Sequence, residues 1–192
     1  MKLLENRILR DAKVISDTYL DVDEFLDGQI DVPLITELAT EICSRFAGEK
    51  ITKILCAHDS GIAAATLCAA ELEIPLVAAK KSHVEGISRD VYTGNVVSFS
   101  RSEVFDLTVS RAHLSRSDRL LIICGILSKG NVPLALFDIA KQAGSCVCGV
   151  AALIEKSFEG GSYLLQQRGL RVESLAKITS MTSPHAISFE DN

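Results

Sequence analysis

The sequence predicts an α/β fold, a doubly wound and mainly parallel sheet. Three observations predict it. Short apolar strand patterns alternate with helical ones, forming two strand–helix–strand units whose brevity implies parallel pairing. Each unit carries a glycine-bearing loop between its first strand and its helix, at the sheet edge where such folds take ligands. The 192 residues, 47% hydrophobic and 23% charged, suit one domain with a sizeable core.

Residues 2–11 read as a short helix. Pro33 stands in the first turn of the next helix, behind Asp31 as its cap. Ile35, Leu38, Ile42 and Phe46 then recur at helical spacing, and Gly48 ends the run. Residues 51–57 are a short apolar strand, 61–72 an Ala-rich helix and 75–80 the next strand. The polar stretch 81–94 follows, with Ser82, His83, Glu85, Gly86, Ser88, Arg89 and Asp90. It lacks an apolar period and exceeds an ordinary connector, so a mobile loop is expected. Strands over 95–100 and 107–110 flank it. The second unit begins at Arg119 with a strand over 120–124. Its helix carries Val132, Leu136, Ile139 and Ala140 and ends near Gly144, before a buried strand over 145–154. The tail holds a short helix around 163–167 and a strand over 171–176. No repeat, low-complexity tract or linker divides the chain.

The net charge of -5 argues against nucleic acid and anionic membranes as partners. A small anion stays open, because helix N-termini bind phosphate even in acidic proteins. The longest apolar run, 146–154, falls far short of the roughly 20 residues that cross a bilayer. The N-terminus lacks the apolar segment and cleavage site of a secretory signal, so the expected location is cytoplasmic. The 6 cysteines contain no CxxC pair and are expected as reduced, buried, structural thiols.

Two loops carry chemistry. Ser128-Lys129-Gly130-Asn131-Val132 opens a helix, where backbone amides and the helix dipole favour an anion. A plain βα turn would want the same glycine. The loop is not a Walker A motif, because Asn131-Val132 stands where Lys-Ser/Thr is needed. The second loop, His58-Asp59-Ser60-Gly61, ends the first unit's first strand and could lie beside the other across one crevice. Two anion sites there would suit a pyrophosphate with magnesium, Asp59 being an indirect metal contact and no residue a direct one. A capping Ser60 and a surface His58 account for the same residues without a ligand.

The chain resembles the bacterial xanthine phosphoribosyltransferases, within the type I phosphoribosyltransferases, over essentially its full length. Leu20-Asp21-Val22-Asp23-Glu24-Phe25-Leu26, Ser44-Arg45-Phe46-Ala47 and Ser60-Gly61-Ile62-Ala63 carry the resemblance. So do His113-Leu114-Ser115, Lys141-Gln142-Ala143-Gly144, Ile154-Glu155-Lys156-Ser157-Phe158 and Arg171-Val172-Glu173-Ser174-Leu175-Ala176, in shared order and spacing. It implies a single domain over 1–192 with residues 1–31 forming a hood over the base. It also implies a homodimer that moves ribosyl 5-phosphate from phosphoribosyl pyrophosphate to N9 of a purine, with magnesium. Base contacts then fall on Leu20, Asp27 and Lys156. The phosphate loop falls on Ser128, Lys129, Gly130, Asn131 and Val132, and the pyrophosphate loop on His58, Asp59, Ser60 and Gly61. Stretch 81–94 would close over the reacting centre.

Two departures from that family follow. Its adjacent acids, which accept the ribose hydroxyls, are replaced by Cys124-Gly125, a weak acceptor and none. Its asparagine is replaced by Asp27, whose carboxylate repels the C2 carbonyl of xanthine and suits the C2 amino group of guanine. The expected function is therefore purine salvage with xanthine or guanine as acceptor. The alternative is a catalytically impaired relative that binds a purine or nucleotide for regulation.

Overall fold

Helix formation starts where the sequence supplies caps. Helix α1 (Lys2–Asp11) buries Leu4 and Ile8, and after it come two short paired strands, β1 (Lys13–Val14) and β2 (Leu20–Asp21). Asp31 caps α2 (Val32–Arg45) by accepting the Leu34 amide at 3.1 Å, and Leu34, Ile35, Leu38, Ala39, Ile42 and Cys43 form its buried stripe. The computed structural model describes residues 1–82, 90–98, 103–182 and 186–190.

The first unit comprises β3 (Lys53–Ala57), α3 (Ile62–Glu71) and β4 (Leu76–Ser82). A hairpin follows, β5 (Val91–Ser98) with β6 (Glu103–Ser110). The second unit comprises β7 (Arg119–Leu127), α4 (Asn131–Ala143) and β8 (Cys146–Lys156). The short α5 (Gly161–Gln166), β9 (Val172–Met181) and β10 (Ile187–Phe189) complete the chain. Glycines in the left-handed region bound α4 at both ends, Gly130 with φ 83 and Gly144 with φ 73.

One sheet of eight strands in the order β10-β9-β8-β7-β3-β4-β6-β5 runs through the molecule. Strands β4, β3, β7, β8 and β9 are parallel, while β10 and the β5–β6 hairpin add antiparallel edges. The fold class is thus α/β with a mostly parallel sheet, as the sequence predicts. Strand order reverses between β3 and β7, so the loops after these strands open the crevice in which such sheets bind ligands. One core lies between the sheet and α1, α2 and α3. The other packs against α4, α5 and the hairpin.

Several boundaries differ from expectation. Lys81 and Ser82 continue β4, and 91–94 belong to β5, so the described ends of the 81–94 stretch are strand. Residues 83–89, including His83, Glu85, Gly86, Ser88 and Arg89, lie outside the described residues. The first strand of the second unit runs on to Leu127, because Ile126 and Leu127 pair with Ile154 and Glu155. Cys146, expected buried, is exposed at the start of β8, its sulfur 3.8 Å from the Arg119 guanidinium.

Candidate active site

Three strand ends converge on the crevice. After β7, Ser128, Lys129 and Gly130 lead into α4. Gly130 stacks on Gly161, the first residue of α5. A Cβ on Gly161 would lie 2.8 Å from the Gly130 nitrogen, so close approach there needs glycine. The loop amides and the N-terminus of α4 behind them are a setting that favours an anion. The Asn131 side chain is spent elsewhere, its amide donating to the Val97 carbonyl of β5 at 2.6 Å.

After β8 stands Lys156, which is buried. Its ammonium pairs with Glu159 and donates to the Thr18 carbonyl at 2.5 Å. An ammonium has three donors, so these two contacts do not exhaust it. A cavity of about 290 Å³ joins these groups, lined by Thr18, Ser128, Asn131, Val132, Lys156 and Glu159 among others. The neighbouring Glu155 is also buried. It accepts from the hydroxyls of Ser162, in α5, and of Ser174, in β9, the latter at 2.5 Å. This network holds α5 beneath the loop of Ser128, Lys129 and Gly130.

After β3 comes the loop of His58, Asp59, Ser60 and Gly61, with His58 exposed and Gly61 buried. Asp59 accepts the Gly61 amide at 2.8 Å. Burial pushes its carboxyl up to about 6. The charge of Asp27 adds to the rise, while the Gly61 and Gly125 amides and His58 oppose it. This loop packs directly on β7, since a Cβ on Gly61 would meet the Gly125 nitrogen at 2.5 Å.

Cys124 and Gly125 lie inside β7 and face opposite ways. The Cys124 thiol is buried, points at the Ala151 carbonyl at 3.6 Å, and is pushed above the ordinary thiol range by that burial. Gly125 turns toward Ser60 and Gly61. In the N-terminal segment, the Leu20 side chain is buried in the core, which leaves its backbone for any ligand. Asp27 is exposed in the turn between the bridged residues Leu26 and Ile30, near enough to Asp59 for their charges to interact. The structure thus gathers 128–132 with Lys156 around one cavity, and 58–61 with Gly125 beside it. Thr18, Glu159, Glu155 and Gly161 were missed by sequence reasoning. Only the three-residue spacing of Lys156 and Glu159 and the Gly160-Gly161 pair were there to be read.

The fold has close solved counterparts. The adenine phosphoribosyltransferase of Trypanosoma brucei, in complex with AMP, pyrophosphate and ribose-5-phosphate, superposes with a TM-score of 0.75 at 16% identity, over 91% of this chain and 79% of that one. The corresponding enzyme of Thermoanaerobacter pseudethanolicus gives 0.74 at 17% identity, over 91% and 99%. The fold is that of the type I phosphoribosyltransferases. No family model matches the chain. The xanthine phosphoribosyltransferase of Brevibacillus brevis is 43% identical over 189 residues, which is 98% of this chain and 96% of that one. On that likeness the chain belongs to the xanthine phosphoribosyltransferase family.

Proposed function

We propose that the chain transfers ribosyl 5-phosphate from phosphoribosyl pyrophosphate to N9 of a purine, in purine salvage. One observation carries the reading: a single cavity is walled by the helix-opening loop of Ser128, Lys129 and Gly130 and by a buried lysine. A phosphate on that loop and a purine carbonyl at Lys156 would place the sugar between them, against Gly125 and the 58–61 loop. The 58–61 loop takes the pyrophosphate. Magnesium would enter as part of that substrate and offset its negative charge, with no residue of the chain as a direct ligand. The chain's own part is to position the reactants and to stabilise the departing charge with preformed amides.

Residues 1–31 act as the hood, bringing the Leu20 backbone and Asp27 to the base. The whole chain works as one domain within a cytoplasmic homodimer, a state that sedimentation would check. Asp27 directs the site to a base with an amino group at C2. A carboxylate only accepts hydrogen bonds, and guanine offers a donor where xanthine offers an acceptor.

The purified protein, magnesium and phosphoribosyl pyrophosphate, mixed in turn with xanthine, guanine, hypoxanthine and adenine, should yield nucleotide, separable by chromatography. Guanine is expected to react best, and Asp27→Asn should move the preference toward xanthine by about ten- to a hundredfold. Nucleotide binding without any product from the four bases would refute the transfer reaction.

A further inference from the structure

We propose that Asp59 supplies the carboxylate that holds the sugar hydroxyls, in place of an acid on the phosphate-loop strand. The inference rests on the nucleotide reading above and adds a residue role to it.

The strand itself offers no acceptor at the height of the sugar. The Cys124 thiol is turned into the core and Gly125 has no side chain. Gly125 stands three residues before Ser128. At about 3.3 Å per strand residue this is roughly 10 Å along the strand. A sugar whose phosphate sits on the loop of Ser128, Lys129 and Gly130 reaches back over Gly125.

The Asp59 carboxylate lies there. Its Oδ1 accepts the Gly61 amide, a Cβ on Gly61 would be 3.0 Å from that oxygen and 2.5 Å from the Gly125 nitrogen, and the Gly125 amide also favours the charged carboxylate. An ionised carboxylate has about four acceptor positions. The Gly61 amide takes one, which leaves acceptors for the adjacent 2′ and 3′ hydroxyls. Among the described residues, Asp59 has no lysine or arginine in its ion pairs to quench its charge.

The same geometry leaves no room for an acid at position 125. A Cβ on Gly125 would stand 2.8 Å from the Gly61 nitrogen and from the Ser60 carbonyl carbon, both backbone. The turn that brings Asp59 over the strand requires glycine beneath it.

Calorimetry with guanosine and xanthosine 5′-monophosphates and their 2′,3′-dideoxy counterparts tests this. The native protein should bind the hydroxylated form of whichever base it accepts about ten- to a hundredfold more tightly. Asp59→Ala should lose most of that preference while binding the dideoxy form as before. Asp59→Asn, which keeps an acceptor for the Gly61 amide, should fall between and serves if the alanine variant does not fold. A hydroxyl preference unchanged in both variants, or none in the native protein, overturns the inference alone. Failure of the native protein to bind any of the four nucleotides overturns the reading of the site and the inference with it.

Discussion

Lys156 is held inside the chain by an ion pair with Glu159 and by donating to the Thr18 carbonyl. Removing the cation would leave a buried carboxylate without its partner. Lys156→Met should cost about 3–5 kcal/mol in urea unfolding, and adding Glu159→Gln should recover most of it. A lysine merely lying on the surface would show neither effect. Asp59 has the opposite sign from a paired acid. Its folded form holds a proton more firmly than the unfolded chain, with a pKa of about 6 against 3.8. Its contribution favours the fold below about pH 4 and is lost as pH rises through about 6. Asp59→Asn should therefore gain stability over the native protein at pH 7 relative to pH 4, measured by urea titration at each pH. The family resemblance pointed to Lys156, and the loop after the first unit's first strand pointed to Asp59. The direction of Asp59 depends on a missing side chain across the neighbouring strand, a long-range fact that local spacing does not contain.

Among the elements, the β5–β6 hairpin was the hardest to read. Tyr92, Gly94 and Val96 form the buried row of β5, but a glycine in the middle of the row conceals the two-residue period. The glycine is there because α4 lies against it: a Cβ would be 2.8 Å from the Ala135 carbonyl carbon. Gln142 secures the same edge, with its side-chain carbonyl accepting the Thr93 amide at 3.3 Å and its amide donating to the Thr93 carbonyl at 2.7 Å. An edge strand otherwise presents unpaired backbone to its surroundings. Gln142→Ala should cost about 1–2 kcal/mol and speed amide exchange at Thr93 before other β5 positions. The helices α2, α3 and α4 were plain in the sequence, since caps and apolar spacing are local signals.

At the level of the whole molecule, alternation of strands and helices was enough to give a mostly parallel sheet. Strand order and the antiparallel edges were not legible, because they follow from packing between distant segments. Asp118 shows such a tie. It accepts from Lys53 at 2.9 Å and from the Ser115 amide at 2.7 Å, joining β3 to the turn before β7. Its carboxyl stays below the usual range despite burial, through Lys53 and Ser115. The stability it lends is present above about pH 4 and is lost as the pH falls through its folded value. Asp118→Asn should thus lower the melting temperature near pH 7 and narrow the gap to the native protein in acid.

The tie between Lys156 and position 18 is made by main chain, so replacing the threonine side chain leaves it untouched. What sets it is the number of residues linking β1 to β2. Shortening that link by one would withdraw the carbonyl, free a donor on the lysine, and alter acceptor choice without changing any residue proposed to meet the purine.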